Sequence, residues 1–159
     1  MKYKSINEFD KFDYKDCYIE ELTNDDNNIS LTVEALIVRA NNSNNTNYTD
    51  SYAGTTQIIF NDAKLIKVIK LGFKRYDADD RLLESVEDAE TKLGLKELKG
   101  ILKNAYLTAM IATEDNQTKI MVELADEDPC AITDEYEIYI DSNEVTISWD
   151  KYLNRVQQM

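Results

Sequence analysis

Asparagine and tyrosine side chains concentrate in residues 41–54, called here the asparagine loop, and these side chains are suited to holding a ligand. The asparagines offer amide donors and carbonyl acceptors. Tyr48 and Tyr52 offer flat surfaces with a polar tip, and Gly54 lets the backbone approach a partner closely. Long loops without periodicity are often functional, although a solvated connection is the alternative. We predict a binding site for a protein or a small polar ligand at Asn41, Asn42, Asn45, Asn47, Tyr48, Tyr52 and Gly54.

Carboxylates are the second group of candidates, since the chain has 31 Asp and Glu residues. Asp77, Asp79 and Asp80 offer the oxygen ligands that Mg²⁺ and Ca²⁺ prefer. They do not match a calcium-binding EF-hand loop, because Leu82 stands where the turn glycine should be. Aspartates also stabilise turns by accepting hydrogen bonds from their own backbone, and we favour this explanation. We therefore predict neither a metal nor a cofactor.

Histidine is absent from the sequence. This excludes Ser-His-Asp and Cys-His activation of a nucleophile, and it excludes zinc held by histidine. The four glycines also lack the spacing of a phosphate-binding or dinucleotide-binding loop. We therefore favour a binding or interaction module that is not an enzyme. A carboxylate-dependent enzyme, either a glycosidase or a Mg²⁺-dependent phosphoryl enzyme, is the alternative, and a structural subunit of a homo-oligomer is the third interpretation.

The charge of the chain narrows the choice of partners. Eighteen Lys and Arg residues oppose 31 Asp and Glu residues, and the net charge is −13. Such a field repels nucleic acid and anionic membrane surfaces, so neither is expected as a partner. It steers basic partners toward the surface. An acidic immunity or inhibitor protein that blocks a basic toxin is one concrete form of this hypothesis.

The sequence predicts a cytoplasmic protein. Its first residues lack the apolar core of a secretory signal, and no stretch approaches the ~20 apolar residues of a membrane span. Cys17 and Cys130 are far apart and lie outside any Cys-x-x-Cys pattern. They are expected to be buried thiols in a reducing compartment.

Alternating apolar residues predict a sheet as the scaffold for these groups. The alternation over residues 29–37 is typical of a half-buried antiparallel strand, and residues 17–22 are its expected partner. The strands on either side of residues 114–117, and those on either side of residues 142–143, are expected to form hairpins. The further predicted strands cover residues 55–61, 64–76, 81–83, 106–113, 118–125, 136–141 and 144–149.

Three helices are predicted to accompany the strands. Ser5 and Glu8 have the spacing of a capping box, which indicates a short helix over residues 6–13. The apolar face of residues 86–105 changes side at Gly94, so this middle helix is expected to be broken there. Asp150 is placed to cap a final helix.

The length of 159 residues indicates one domain spanning residues 1–159. Antiparallel strands with clustered helices indicate an α+β fold. About eight short strands are expected to form an antiparallel barrel or roll, because closure removes exposed strand edges. The short N-terminal helix, the broken middle helix and the C-terminal capping helix complete the predicted architecture.

Overall fold

The computed structural model describes residues 1–113, 117–125 and 133–155, which form mostly antiparallel strands and one α-helix, α1 (Leu95–Leu102). No helix in these ranges is long and apolar enough to span a membrane. Cys130 lies outside them. The first eight strands are β1 (Tyr3–Ile6), β2 (Phe12–Asp13), β3 (Tyr18–Asp25), β4 (Asn28–Glu34), β5 (Ile37–Val38), β6 (Ser51–Ala53), β7 (Thr56–Asn61) and β8 (Lys64–Lys70). The others are β9 (Phe73–Tyr76), β10 (Leu82–Val86), β11 (Ala89–Glu90), β12 (Tyr106–Ala112), β13 (Gln117–Glu123), β14 (Glu135–Asp141), β15 (Glu144–Trp149) and β16 (Tyr152–Arg155).

Ten strands form one antiparallel sheet in the spatial order β1-β15-β7-β4-β3-β12-β13-β14-β8-β11. Strands β3 and β12 are paired only at Tyr18 and Tyr106. This short contact divides the sheet into half-sheet A (β1, β15, β7, β4, β3) and half-sheet B (β12, β13, β14, β8, β11). Strands β16, β6, β5 and β2 form a smaller sheet, and β9 pairs with β10 alone.

Two short connections force the large sheet to fold over on itself. Strands β14 and β15 lie six positions apart in the sheet order, yet only Ser142 and Asn143 join them. A flat sheet would separate these strands by about 29 Å, because neighbouring strands lie about 4.8 Å apart. Two linking residues span at most about 11 Å. Asp62 and Ala63 join β7 and β8 across the same number of positions, so half-sheets A and B must face each other.

Both half-sheets bury apolar side chains in one common core. The alternation predicted for residues 29–37 is confirmed over β4, where every second side chain is buried. The predicted hairpin of β12 and β13 is also confirmed by their antiparallel pairing. Helix α1 packs beside β3 and closes part of the core. The core includes Ile29, Leu31 and Val33 from half-sheet A, Ile120, Val122 and Ile138 from half-sheet B, and Leu98 and Leu102 from α1.

The helix predicted over residues 6–13 is wrong. Strand β1 pairs with β15 instead, Asn7 turns through a left-handed backbone conformation with φ of 55°, and a 3₁₀ turn follows at Phe9–Lys11. Ser5 and Glu8 do interact, but Ser5 Oγ donates directly to Glu8 Oε1 at 2.8 Å. A helix cap is worth about 1 kcal/mol, so pairing along four residues of β15 and burial of Ser5 outweigh it.

Only the second part of the predicted middle helix is confirmed. Helix α1 begins directly after Gly94, where the break was expected, and the Gly94 N–H donates to Glu97 Oε2 at 3.1 Å. The preceding residues form β10 and β11 instead. Strand β10 pairs with β9 and β11 pairs with β8, so backbone pairing to earlier strands replaces the helix there.

The C-terminal capping helix is also wrong. Residues 152–155 form β16, which pairs with β6 in the smaller sheet. The preceding Trp149 is fully buried, and its ring lies 5.6 Å from the ring of Tyr3, 5.8 Å from Phe12 and 6.0 Å from Tyr152. This aromatic cluster holds the last strand against the start of the chain, which a helix capped by Asp150 would not do.

The predicted hairpin of β14 and β15 is wrong in its pairing, although both strands are present. Strand β14 lies between β13 and β8, whereas β15 lies between β1 and β7. The eight-stranded barrel is not observed either. In the described ranges β1 and β11 are the edge strands of a ten-stranded sheet, so the sheet folds over without closing.

Strands β9 and β10 form a hairpin outside the main sheet, called here the arm (residues 72–88). Gly72 lies at its base, where an added Cβ would be 1.9 Å from the Val86 carbonyl oxygen. The Gly72 N–H also donates to Asp88 Oδ1 at 2.6 Å. Four apolar side chains on the arm are exposed: Tyr76, Leu82, Leu83 and Val86.

Candidate functional site

Asparagine side chains brace the asparagine loop from within. Asn45 Nδ2 donates to the carbonyl oxygens of Val38, Arg39 and Thr49 at 3.1, 3.1 and 2.9 Å. Asn45 Oδ1 accepts the N–H of Asn47 at 2.8 Å. One amide therefore ties the entry of the loop to its far side.

Asn42 performs a similar structural task at the base of the loop. Its side chain is buried, Nδ2 donates to the Lys11 carbonyl oxygen at 3.4 Å, and Oδ1 accepts the Asn44 N–H at 3.0 Å. Asn47 Nδ2 donates to Ser51 Oγ at 3.3 Å. Asn42 and Asn45 thus hold the backbone in place, whereas Asn47 contacts another side chain. A direct contact of these asparagines with a ligand stays a prediction.

Tyr48 points away from the molecule. Its side chain is 94% exposed, and its backbone is left-handed with φ of 60°. Bulky residues rarely adopt this conformation, so the surrounding contacts of the loop must enforce it. Asn41 is also exposed. The loop therefore presents an aromatic ring on a backbone that its own asparagines hold.

Tyr52 and Gly54, the last predicted site residues, contact the chain itself. Tyr52 O–H donates to Asp16 Oδ2 at 2.5 Å, and this hydrogen bond is the main reason that the pKa of Tyr52 is raised. The Gly54 N–H donates to the Lys151 carbonyl oxygen at 2.8 Å. A Cβ at Gly54 would lie 3.2 Å from Lys151 Cγ, so the backbone of Gly54 closely approaches Lys151. An approach of a ligand to Gly54 stays a prediction.

Glu8 links the asparagine loop to the start of the chain. Glu8 Oε1 accepts hydrogen bonds from Ser43 Oγ at 2.6 Å and Ser5 Oγ at 2.8 Å, and Lys11 Nζ lies 3.3 Å from Oε2. Burial acts to raise the pKa of Glu8, but these hydrogen bonds together lower it. The carboxylate therefore remains charged and holds Ser43 at neutral pH.

A cavity of about 510 Å³, which no sequence pattern predicted, lies where half-sheets A and B meet. Its wall comes from the ends of β12 and β14, the starts of β13 and β15, and the residues on either side of Glu8. No spacing of residues within one segment of the sequence could have predicted the cavity, because segments that are distant in sequence form its wall. The described lining residues are Asn7, Phe9, Ala112, Thr113, Gln117, Thr118, Asp141, Ser142, Asn143, Glu144 and Val145.

The aspartates at the tip of the arm serve the turn. Asp77 Oδ1 accepts the N–H groups of Asp79 and Arg81 at 2.8 and 2.9 Å, and Asp80 has left-handed backbone with φ of 60°. These bonds are the turn chemistry that the sequence favoured. In the part of the chain that the structure describes, no group of three or more acidic, cysteine or histidine side chains is arranged to hold a metal ion.

Cys17 is buried in the core, and burial is the main reason that the pKa of its thiol is raised well above the usual value. A protonated, enclosed thiol is a poor nucleophile.

Comparison with protein-family models, with curated proteins and with solved structures finds no match to this chain. The asparagine loop, the cavity and the arm are therefore the features from which a function can be inferred.

Proposed function

We propose that the protein is a binding module that engages a basic protein partner through the asparagine loop. The exposed ring of Tyr48, on a loop braced by Asn42 and Asn45, is the observation that carries this proposal. A preformed loop loses little conformational entropy on binding, and aromatic anchors supply much of the affinity of an interface. The net charge of −13 supports a basic partner, because opposite charges speed and orient the encounter.

Affinity capture with the immobilised chain tests this proposal when three columns are compared. The columns carry the unchanged chain, Tyr48→Ala, and Tyr76→Ala as a matched control at an exposed tyrosine of the arm. We expect a basic protein on the first and third columns. Loss of an aromatic anchor costs about 2 kcal/mol, or about 30-fold in affinity, so the Tyr48→Ala column should release it.

Ionic strength supplies the second half of the test. Raising the salt from about 50 mM to about 500 mM shortens the Debye length to a few ångströms and should weaken the captured complex. A partner that binds Tyr48→Ala as well as the unchanged chain would contradict the role of the loop. A complex insensitive to salt would contradict a basic partner. If Tyr48→Ala loses the partner and salt weakens the complex, the two results together would support an immunity or inhibitor protein that blocks a basic partner.

A homo-oligomer subunit is a second candidate function, and the arm favours it. An isolated two-stranded hairpin is marginally stable in water, and this one exposes Leu82 and Leu83. Light scattering across a concentration series should show dimers or larger species if the arms bind another copy. A Leu82→Gln/Leu83→Gln variant should then be monomeric, whereas Leu153→Gln, at an exposed leucine elsewhere, should not change the mass. A monomer at every concentration removes this candidate.

The carboxylate-dependent enzyme remains an alternative proposal, since Asp141 and Glu144 line one cavity. Its test is turnover of glycoside or phosphoester substrates by the purified chain. Activity that Asp141→Asn or Glu144→Gln abolishes would support this alternative over a module that only binds. Absence of turnover across both substrate classes would count against it.

A further inference from the structure

The cavity at the crossing between the half-sheets has an acidic wall. Asp141 and Glu144 both line it, and no Lys or Arg does so among the described residues. Asp141 takes part in no salt bridge of the described chain. Lys64 is its cross-strand neighbour on β8, but no salt bridge joins the two side chains. The excess negative charge of the wall is therefore left to solvent or to a ligand.

Two acceptors of the wall are left over by the hydrogen bonds of the described residues. Asn143 Nδ2 donates to Asp62 Oδ2 at 2.8 Å, so Asn143 retains its amide oxygen. Glu144 Oε1 accepts from Thr146 Oγ1 at 3.2 Å, and the second oxygen of Glu144 remains as an acceptor. A carboxylate has no donor of its own when it is ionised. A ligand that fits this wall must bring donors and, to match the two carboxylates, positive charge.

The backbone around the cavity is braced. Asn7 Oδ1 accepts the Val145 N–H at 2.9 Å, and the Asn7 N–H donates to the Val145 carbonyl oxygen at 2.8 Å. The Asn143 N–H donates to the Asn61 carbonyl oxygen at 2.9 Å, which joins one crossing connection to the end of β7, directly before the other connection. Phe9 also lines the cavity, and an aromatic ring attracts a cation that approaches its face. The cavity volume of about 510 Å³ falls within the range of small-molecule sites.

We propose that this cavity binds a protonated amine or a guanidinium group, which Asp141 and Glu144 hold by charge-assisted hydrogen bonds. The group has two sources: a free amine, or a lysine or arginine side chain of a protein. In the second case the inference rests on the proposed function, because the side chain belongs to the basic partner. Tyr48 is not among the residues that line the cavity, so the test of the cavity and the test of the asparagine loop can fail independently.

A nuclear magnetic resonance titration with agmatine tests the site without any partner. Agmatine carries one ammonium and one guanidinium group, and 1,4-butanediol is the uncharged control. We expect agmatine, but not 1,4-butanediol, to shift the backbone amide signals of Asn7, Thr113 and residues 142–145. A short peptide with one lysine distinguishes the two sources: binding of the peptide as well as agmatine supports a side chain, whereas binding of agmatine alone supports a free amine. No shift with either, or equal shifts with the diol, would overturn the proposal.

Matched variants separate this site from general attraction to an acidic protein. Asp141→Asn should weaken agmatine binding about tenfold, since a hydrogen bond to a charged group is worth that factor or more. Asp79→Asn, at the tip of the arm, makes the same charge change and should leave the affinity within about twofold. Lys64→Gln removes a neighbouring positive charge and should strengthen binding about two- to fivefold. Equal weakening by Asp141→Asn and Asp79→Asn would overturn the proposal.

Discussion

At the scale of single residues, the asparagines of the loop act on their own backbone. A side-chain amide can both donate and accept, so it can replace the backbone hydrogen bonds that an irregular segment lacks. The side chain of Asn45 donates and accepts at the same time, whereas the side chain of Asn41 is exposed to solvent. A substitution at Asn45 should therefore lower the free energy of unfolding more than one at Asn41, although both residues lie in the asparagine loop.

Asn45→Asp tests this difference. The change keeps the size of the side chain and one acceptor, but it removes the donors to three carbonyl groups. We expect the free energy of unfolding to fall by about 2–3 kcal/mol, because partly buried acceptors lose their partners. Asn41→Asp makes the same charge change at an exposed position and should alter it by less than about 0.5 kcal/mol. Urea denaturation of both variants measures the two effects, and equal effects would contradict the bracing role of Asn45.

Glu8 makes the position of the loop dependent on pH. Its native pKa is lower than the unfolded value, so the charged carboxylate stabilises the fold above about pH 4. That contribution is lost as the pH falls through the lower native pKa. The amide signal of Ser43 should therefore move below about pH 4. Glu8→Gln should remove the transition at Ser43, and an unchanged transition in this variant would assign it to another group.

At the scale of elements, long-range pairing decides between helix and strand. The spacing of Ser5 and Glu8 and the position of Asp150 are helix-start signals, yet β1 and β16 form because partner strands are available to them. Local preferences amount to fractions of a kcal/mol per residue, so pairing and burial readily override them. Helix α1 persists where Leu98 and Leu102 reach the core.

Two glycines give opposite predictions for the same substitution. At Gly72 a Cβ would lie 1.9 Å from the Val86 carbonyl oxygen, so Gly72→Ala must displace the base of the arm and should cost about 2 kcal/mol or more. At Gly100, inside α1, nothing lies within 4 Å of the added Cβ. Gly100→Ala should stabilise the protein by about 0.5–1 kcal/mol, because alanine favours helix. Thermal unfolding measures both changes, and a neutral Gly72→Ala would show that the base of the arm is loosely packed.

At the scale of the whole molecule, a strand near the start of the described chain pairs with one near its end. Strand β1 pairs with β15, so Tyr3 lies opposite Trp149. Both crossing connections carry the chain from one half-sheet to the other: half-sheet B comes from the continuous stretch between the start of β8 and the end of β14, whereas half-sheet A combines strands from before and after that stretch. The acidic cavity arises at one of these crossings. Its wall is therefore a property of the complete fold rather than of any motif.

This topology sets an expectation for folding kinetics. Contacts between residues distant in sequence require closure of long loops before they stabilise the fold, and such proteins fold slowly. We expect refolding from urea in about 10 ms to 10 s, measured by stopped-flow fluorescence of the buried Trp149. Refolding within microseconds would contradict the observed strand order. A slow phase of minutes would indicate a separate isomerisation step.

The amino-acid sequence alone determined where most strands lie and which chemistry is absent. Alternation of apolar residues, as in β4, is local and depends only on which side chains avoid water. The turn at Asp77 and the exclusion of histidine chemistry could also be predicted from the sequence. The pairing of the strands could not be predicted, because β14 and β15 have the same alternation of apolar residues whether they pair with each other or lie in opposite half-sheets. Only the tertiary structure decided that pairing, and with it the cavity and the hydrogen bond from Asn42 to Lys11, since each depends on residues that are far apart in the sequence.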